Sequence, residues 1–219
     1  MSCLIQIGCC VGDEYIFKLI HNNKINTCIF IDANVSALEK CRENQDDFFR
    51  DKNVDWDVKF EYINCAISDS KLDEIELNIP TGDIYSSHSS IFSDFPTISD
   101  AKNGFDAVKV KNFSINDIFE NYGLTLIDYL FIDVEGCDKG IVSNINWDKY
   151  NILNIKFEFS HWDGWHTAVN SEHLRHIIFF LLMNKYKVYQ SSVTDLTATK
   201  LQNWVQNYDD ENKFLNDVT

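Results

Sequence analysis

The sequence predicts one α/β domain built on a mainly parallel sheet, and three observations predict it. Short β-rich runs alternate with helical periods along most of the chain, as in parallel strands joined by crossover helices. A glycine pair, Gly8 and Gly12, stands between the first strand and the first helix. Further on, the apolar run Leu126–Ile132 ends at two carboxylates, Asp133 and Glu135, as expected of a central strand whose carboxyl end faces a ligand crevice.

Taken in order, the first strand is read over residues 3–7 and the first helix over about 13–21. With no helix before that strand, one side of the crevice is left for a later segment to cover. A second strand, residues 27–31, ends at Asp32, and a helix from 36 towards 49 places Leu38, Cys41 and Phe48 near one face. The third strand is read over 58–65. There the rhythm breaks: residues 74–79 and 107–113 read as extended pieces around a serine-rich loop, 85–93, with no long helix between them. Loops carried on a rigid sheet tend to hold binding residues, so this insertion is the expected place for substrate contacts. A short helix, 115–122, is stopped by Gly123. The strand over 126–132, another over 152–159, a helix over 171–184 and a closing hairpin of 187–191 with 196–201 complete the domain. Residues 1–202 are read as this domain, and 203–219 as a polar, weakly periodic tail.

The 219 residues are 45% hydrophobic and 24% charged, the composition of an ordinary globular fold. Lys and Arg number 19 against 34 Asp and Glu, a net charge of −15. No basic run or stripe is present to neutralise phosphates, which argues against nucleic acid and anionic membranes as partners. The longest apolar stretch, 177–183, is too short to span a bilayer, and the first residues lack the pattern of a signal peptide. A cytoplasmic protein, monomer or homodimer, is expected. The seven cysteines show no zinc-ligand spacing and read as small buried hydrophobes.

Glycines four apart at a strand–helix junction let the backbone turn tightly and approach a ligand. Asp32, 24 residues after Gly8, ends the neighbouring strand, where a carboxylate can accept both hydroxyls of a ribose. Both a nicotinamide cofactor and S-adenosylmethionine present such a ribose. A dinucleotide turn needs a third glycine to seat its pyrophosphate, but here Ile16 or its neighbours hold that position, and Asp13 and Glu14 add negative charge. A donor with a sulfonium charge and no phosphate suits that electrostatics better. Asp133 and Glu135 stand at the same crevice, the lesser alternative being that these acids, Glu135 more than Asp133, only cap the following helix.

Five segments in order give the chain its resemblance to a known family: Ile5-Gln6-Ile7-Gly8-Cys9-Cys10-Val11-Gly12, Phe30-Ile31-Asp32-Ala33-Asn34, Asn64-Cys65-Ala66-Ile67-Ser68-Asp69, Ser89-Ser90-Ile91 and Ile132-Asp133-Val134-Glu135-Gly136. Over residues 3 to about 190 the chain resembles the FkbM family of S-adenosylmethionine-dependent methyltransferases, which act mostly on hydroxyls of small molecules and sugars. The resemblance implies a Rossmann-like class I methyltransferase fold, a seven-stranded mostly parallel sheet with helices on both faces and an antiparallel last strand. It implies that Gln6, Gly8, Cys9 and Gly12 border the methionine part of the cofactor, Asp32 and Ala33 the ribose, and Ala66 and Ile67 the adenine. Asp133 would lie near the amino-acid end or the acceptor. Where the family usually has Asp, this chain has Gln6; Cys10 replaces Asn, and Asp32-Ala33 replaces Glu-Pro.

Methyl transfer to a hydroxyl needs aligned reactants and a proton acceptor. Candidates are Asp133, Glu135, Glu158 and His161, the last two placed by the strand over 152–159. Trp162, Trp165 and His166 follow in an aromatic loop that could stack on a sugar. His161, Asp163, His166, His173 and His176 fit no common ligand spacing, so no metal is expected. Two rivals stay open: an NAD(P)-dependent oxidoreductase on the same architecture, and a catalytically inactive cofactor-binding or scaffold protein.

Overall fold

A computed structural model describes residues 2–50, 52, 54–94, 104–159, 172–192 and 194–201. Its elements are β1 (Cys3–Ile7), α1 (Glu14–Asn23), β2 (Thr27–Asp32), α2 (Val35–Arg50), β3 (Lys59–Asn64), β4 (Ala66–Ile67), β5 (Glu74–Pro80), β6 (Phe105–Phe113), α3 (Ile115–Asn121), β7 (Leu126–Ile132), α4 (Asp138–Asn144), β8 (Asn151–Glu158), α5 (Glu172–Met183), β9 (Tyr186–Gln190) and β10 (Asp195–Lys200). The main sheet has seven strands in the order β3-β2-β1-β7-β8-β10-β9. All neighbours pair in parallel except β10, which runs antiparallel to both β8 and β9. This is the expected Rossmann-like arrangement with an antiparallel last strand. The strand order reverses between β1 and β7, and a crevice opens above the carboxyl ends at such a switch point.

Alternation decides which helix covers which face. From β1, Cys3, Ile5 and Ile7 point into a core shared with Ile118 and Phe119 of α3, Ile141 and Val142 of α4, and Leu174 and Leu181 of α5. On the other face, Leu4 joins Ile16, Phe17 and Ile20 of α1 and Leu38, Cys41 and Phe49 of α2. Aromatic rings fill that second core: Phe30 meets Phe17 edge-on at 6.0 Å and stacks on Tyr62 at 5.5 Å. The Tyr62 hydroxyl donates to Gln45 at 2.8 Å, so the half-buried phenol keeps a partner. All seven cysteines are free and six are buried, which agrees with their reading as small hydrophobes.

The break in alternation proves to be a second, three-stranded sheet in the order β4-β6-β5. The chain leaves the main sheet after Asn64; β5 pairs antiparallel along its whole length with residues 105–111 of β6, whose last two residues pair parallel with β4. Ser68 and Asn112 bind this sheet together where it meets the body, their side chains 2.8 Å apart and buried. Return to the main sheet runs through α3, which starts in a complete capping box. The Ser114 hydroxyl accepts from the Asp117 amide at 3.2 Å, and the Asp117 carboxylate accepts from the Ser114 amide at 2.9 Å. Two amides without intrahelical partners are thereby satisfied. Ser114→Ala should cost about 1 kcal/mol, measured as a lower urea midpoint with an unchanged slope.

Candidate functional site

Three strand ends meet at the crevice, and backbone hydrogen bonds fix their spacing. The Gly8 and Cys9 amides both donate to the Ile31 carbonyl of β2, at 2.9 and 3.2 Å, while the Asp133 amide donates to Ile7 of β1 at 3.0 Å. Gly8 has φ +75°, and a Cβ placed there would stand 1.7 Å from the Asp133 carbonyl oxygen. Residue 8 therefore has to be glycine for steric reasons alone. Gly12, at φ +83°, answers a different need, because a Cβ there would meet the Phe17 ring at 2.6 Å and the Cys41 sulfur at 3.1 Å. It lets the turn close onto its own helices and does not line the crevice.

Asp32 ends β2 with one carboxylate oxygen accepting from the Cys10 amide at 2.7 Å and the other from the Asn34 amide at 2.8 Å. Each oxygen keeps a second acceptor site. Burial pushes this carboxyl up to about 6, against the pull of those two amide bonds. Asn34 is itself divided between two tasks. Its Oδ1 accepts from the Ser36 and Ala37 amides at the start of α2, and its Nδ2 donates to the Ile84 carbonyl at 3.0 Å.

On the β7 side, the turn after Ile132 puts Glu135 at φ +52° and Gly136 at φ +111°. Asp133 opens onto the crevice and is exposed; even so, surrounding protein, then repulsion from Glu158 and Asp195, pushes its carboxyl up to about 7. Burial, then Asp133 and Glu158, raises Glu135 to about 8. Beneath the turn lies Asp138, 2% exposed, whose Oδ2 accepts from the Val134 amide at 3.4 Å. Its Oδ1 has no hydrogen-bond partner. Burial above all holds it well above the usual carboxylate range.

The structure thus brings Gly8, Asp32, Ala33, Ala66, Ile67, Asp133 and Glu135 to one cavity. Cys9 points into the α1–α2 core at 2% exposure, beside Cys41. Gln6, in register with Phe30 and Phe131, has a buried Oε1 without a partner, and it does not line the cavity. Glu158 ends β8 opposite Asp195 and reaches the site by repulsion across the rim. His161 and the aromatic loop 162–166 lie outside the described residues. Sequence reasoning assigned no role to two contributors in the serine-rich loop. His88 comes within 3.6 Å of a Glu135 oxygen, and the Ser90 hydroxyl donates to the Glu135 carbonyl at 2.8 Å. The serine-rich composition flagged their loop, but neither pairing has a local signal.

A family model described as the methyltransferase FkbM domain matches residues 7–190. The chain belongs to the FkbM methyltransferase family. The match spans both halves of the crevice, from the glycine turn to β9. No curated protein is significantly similar to the chain. Among the described residues of this FkbM methyltransferase, no helix is long and apolar enough to cross a membrane.

Two outcomes follow for this member of the family. Gly8→Ala, forced into a left-handed φ against a backbone oxygen, should cost more than about 3 kcal/mol or abolish folding, as seen in soluble yield and thermal melting. The raised carboxyls of Asp32, Asp133 and Glu135 also mean that the folded chain holds protons the unfolded chain has released. The stability they give is complete below the ordinary carboxylate range and is lost as pH rises through 6 to 8. Melting should therefore fall from about pH 5.5 to about pH 8.5, and Glu135→Gln should flatten that fall, adding about 1–2 kcal/mol at the upper pH.

Proposed function

We propose that the protein transfers a methyl group from S-adenosylmethionine to a hydroxyl of a small molecule or sugar. One observation carries the donor assignment: a single cavity joins Asp32, with acceptor capacity left for a ribose, to an apolar wall of Cys65, Ala66, Ile67 and Leu77 on one side and to Asp133 and Glu135 on the other. A purine ring suits the apolar wall, and ribose hydroxyls suit the carboxylate that ends β2. The positive sulfonium and ammonium groups of the donor suit the acidic end. A pyrophosphate does not suit this crevice, because α1 opens with Asp13, which caps it, and Glu14 in its first turn.

When bound, the donor supplies an electrophilic methyl carbon, and the protein's work is alignment and proton removal. Asp133 and Glu135 stand at the cavity with carboxyls raised to about 7 and about 8. A carboxylate of that basicity accepts a proton near neutral pH more effectively than an ordinary one. Glu158 adds charge that keeps both values high, and His161 follows β8 in sequence as a further candidate base.

Calorimetry separates this reading from the oxidoreductase rival: S-adenosylhomocysteine should bind at micromolar concentration and NAD should not, and the reverse would reject the donor. Asp32→Ala should weaken S-adenosylhomocysteine by about 1.5–3 kcal/mol, the usual worth of hydrogen bonds to a charged group. Transfer of labelled methyl to a panel of hydroxylated sugars, abolished in Glu135→Gln while S-adenosylhomocysteine still binds, would separate an active enzyme from a scaffold.

A further inference from the structure

The crevice is roofed by residues 83–92, and each strand end beneath holds part of the roof. Over β2, the Asn34 side-chain amide donates to the Ile84 carbonyl at 3.0 Å. Over the glycine turn, the Cys10 thiol donates to the Tyr85 carbonyl at 3.5 Å. Over the β7 turn, the buried Ser90 hydroxyl donates to the Glu135 carbonyl at 2.8 Å, and His88 stands 3.6 Å from the Glu135 carboxylate. The far end is anchored to β5, where Asn78 and Ser90 exchange backbone hydrogen bonds of 2.8 and 3.1 Å. The partly open cavity beneath measures about 60 Å³, room for a few waters, whereas pockets for drug-sized ligands run to roughly 300–1,000 Å³. A nucleoside needs more room than this cavity offers with residues 83–92 in place.

We propose that residues 83–92 are a clasped lid over the methyl-donor pocket, with Asn34 and Ser90 as positioning residues whose hydrogen bonds set how often it opens to admit the donor. The proposal rests on the donor reading above. Opening needs no change in the main sheet, because the clasps are side-chain bonds to loop carbonyls and the anchor at Asn78 belongs to the separate three-stranded sheet. Each clasp contributes modestly, so the open state is a minor population that entering ligand draws upon.

Two variants weaken the clasps from opposite sides of the pocket. Ser90→Ala deletes the donor to Glu135. Asn34→Asp keeps an acceptor for the Ser36 and Ala37 amides but offers no hydrogen to Ile84. Hydrogen–deuterium exchange of the ligand-free protein should accelerate over residues 83–92 in both, with β1 and β7 unchanged as the folding control. Surface plasmon resonance with S-adenosylhomocysteine should show association and dissociation both faster by roughly two- to tenfold, the range expected for one hydrogen bond. A merely structural role would not speed association. Unchanged exchange and unchanged association in both variants, with the wild-type protein binding normally, overturn the lid alone. Absence of S-adenosylhomocysteine binding to the wild-type protein overturns the donor assignment and the gate together.

Discussion

The site depends on one steric constraint: the end of β1 is squeezed between its two neighbours with no room for a side chain at residue 8. Gly8 and Cys9 donate to β2, the Ile7 carbonyl accepts from the start of the β7 turn, and the Asp133 carbonyl lies where a Cβ would stand. That closeness pulls Asp32 and the Asp133–Glu135 turn towards one cavity instead of leaving them on separate rims. It also frees the Cys10 amide, at φ +47°, to meet the Asp32 carboxylate. The cavity wall is thus largely a by-product of how three parallel strands end together at a switch point.

Electrostatics divides the cavity into unlike halves. Beside β2, a buried carboxylate is satisfied by two backbone amides, so its charge is compensated locally. Beside β7, Asp133, Glu135, Asp138 and Glu158 crowd together, and repulsion adds to burial in raising the first three. Lys156 opposes the effect at Asp133 but pairs with Asp195 at 3.0 Å. Asp133 and Glu135, raised to about 7 and about 8, can therefore hold or release protons near neutrality, which is where acid–base chemistry needs them.

Much of this was legible in the sequence because it is periodic or local. Strand ends at Asp32 and Asp133, the antiparallel closing pair and helix positions follow from apolar spacing and glycine stops. Helix ends differ by a few residues: α1 runs on past 21 to Asn23, where Lys24 takes the left-handed cap. What spacing could not reveal is pairing across distance. Gly8 and Gly12 look alike in the sequence, yet one yields to a neighbouring strand and the other to the Phe17 ring. The links from Asn34 to Ile84 and from Ser90 to Glu135 join residues 50 and 45 positions apart, and no local pattern encodes them. Gln6 stands apart, since the lone buried oxygen on its side chain has no physical explanation in the structure.

The second sheet has a consequence for how such a protein can diversify. β4, β5 and β6 pair only among themselves, and they are held to the seven-stranded sheet by the chain, by Ile67 in the shared core and by the hydrogen bonds from Asn34 to Ile84 and from Ser90 to Glu135. Insertions or exchanges in the β5–β6 connection would therefore reshape the ceiling of the crevice without shifting the register of any strand that builds its floor. The ceiling of the crevice and the strand register beneath it are thus set by different hydrogen-bonded ladders of the same chain.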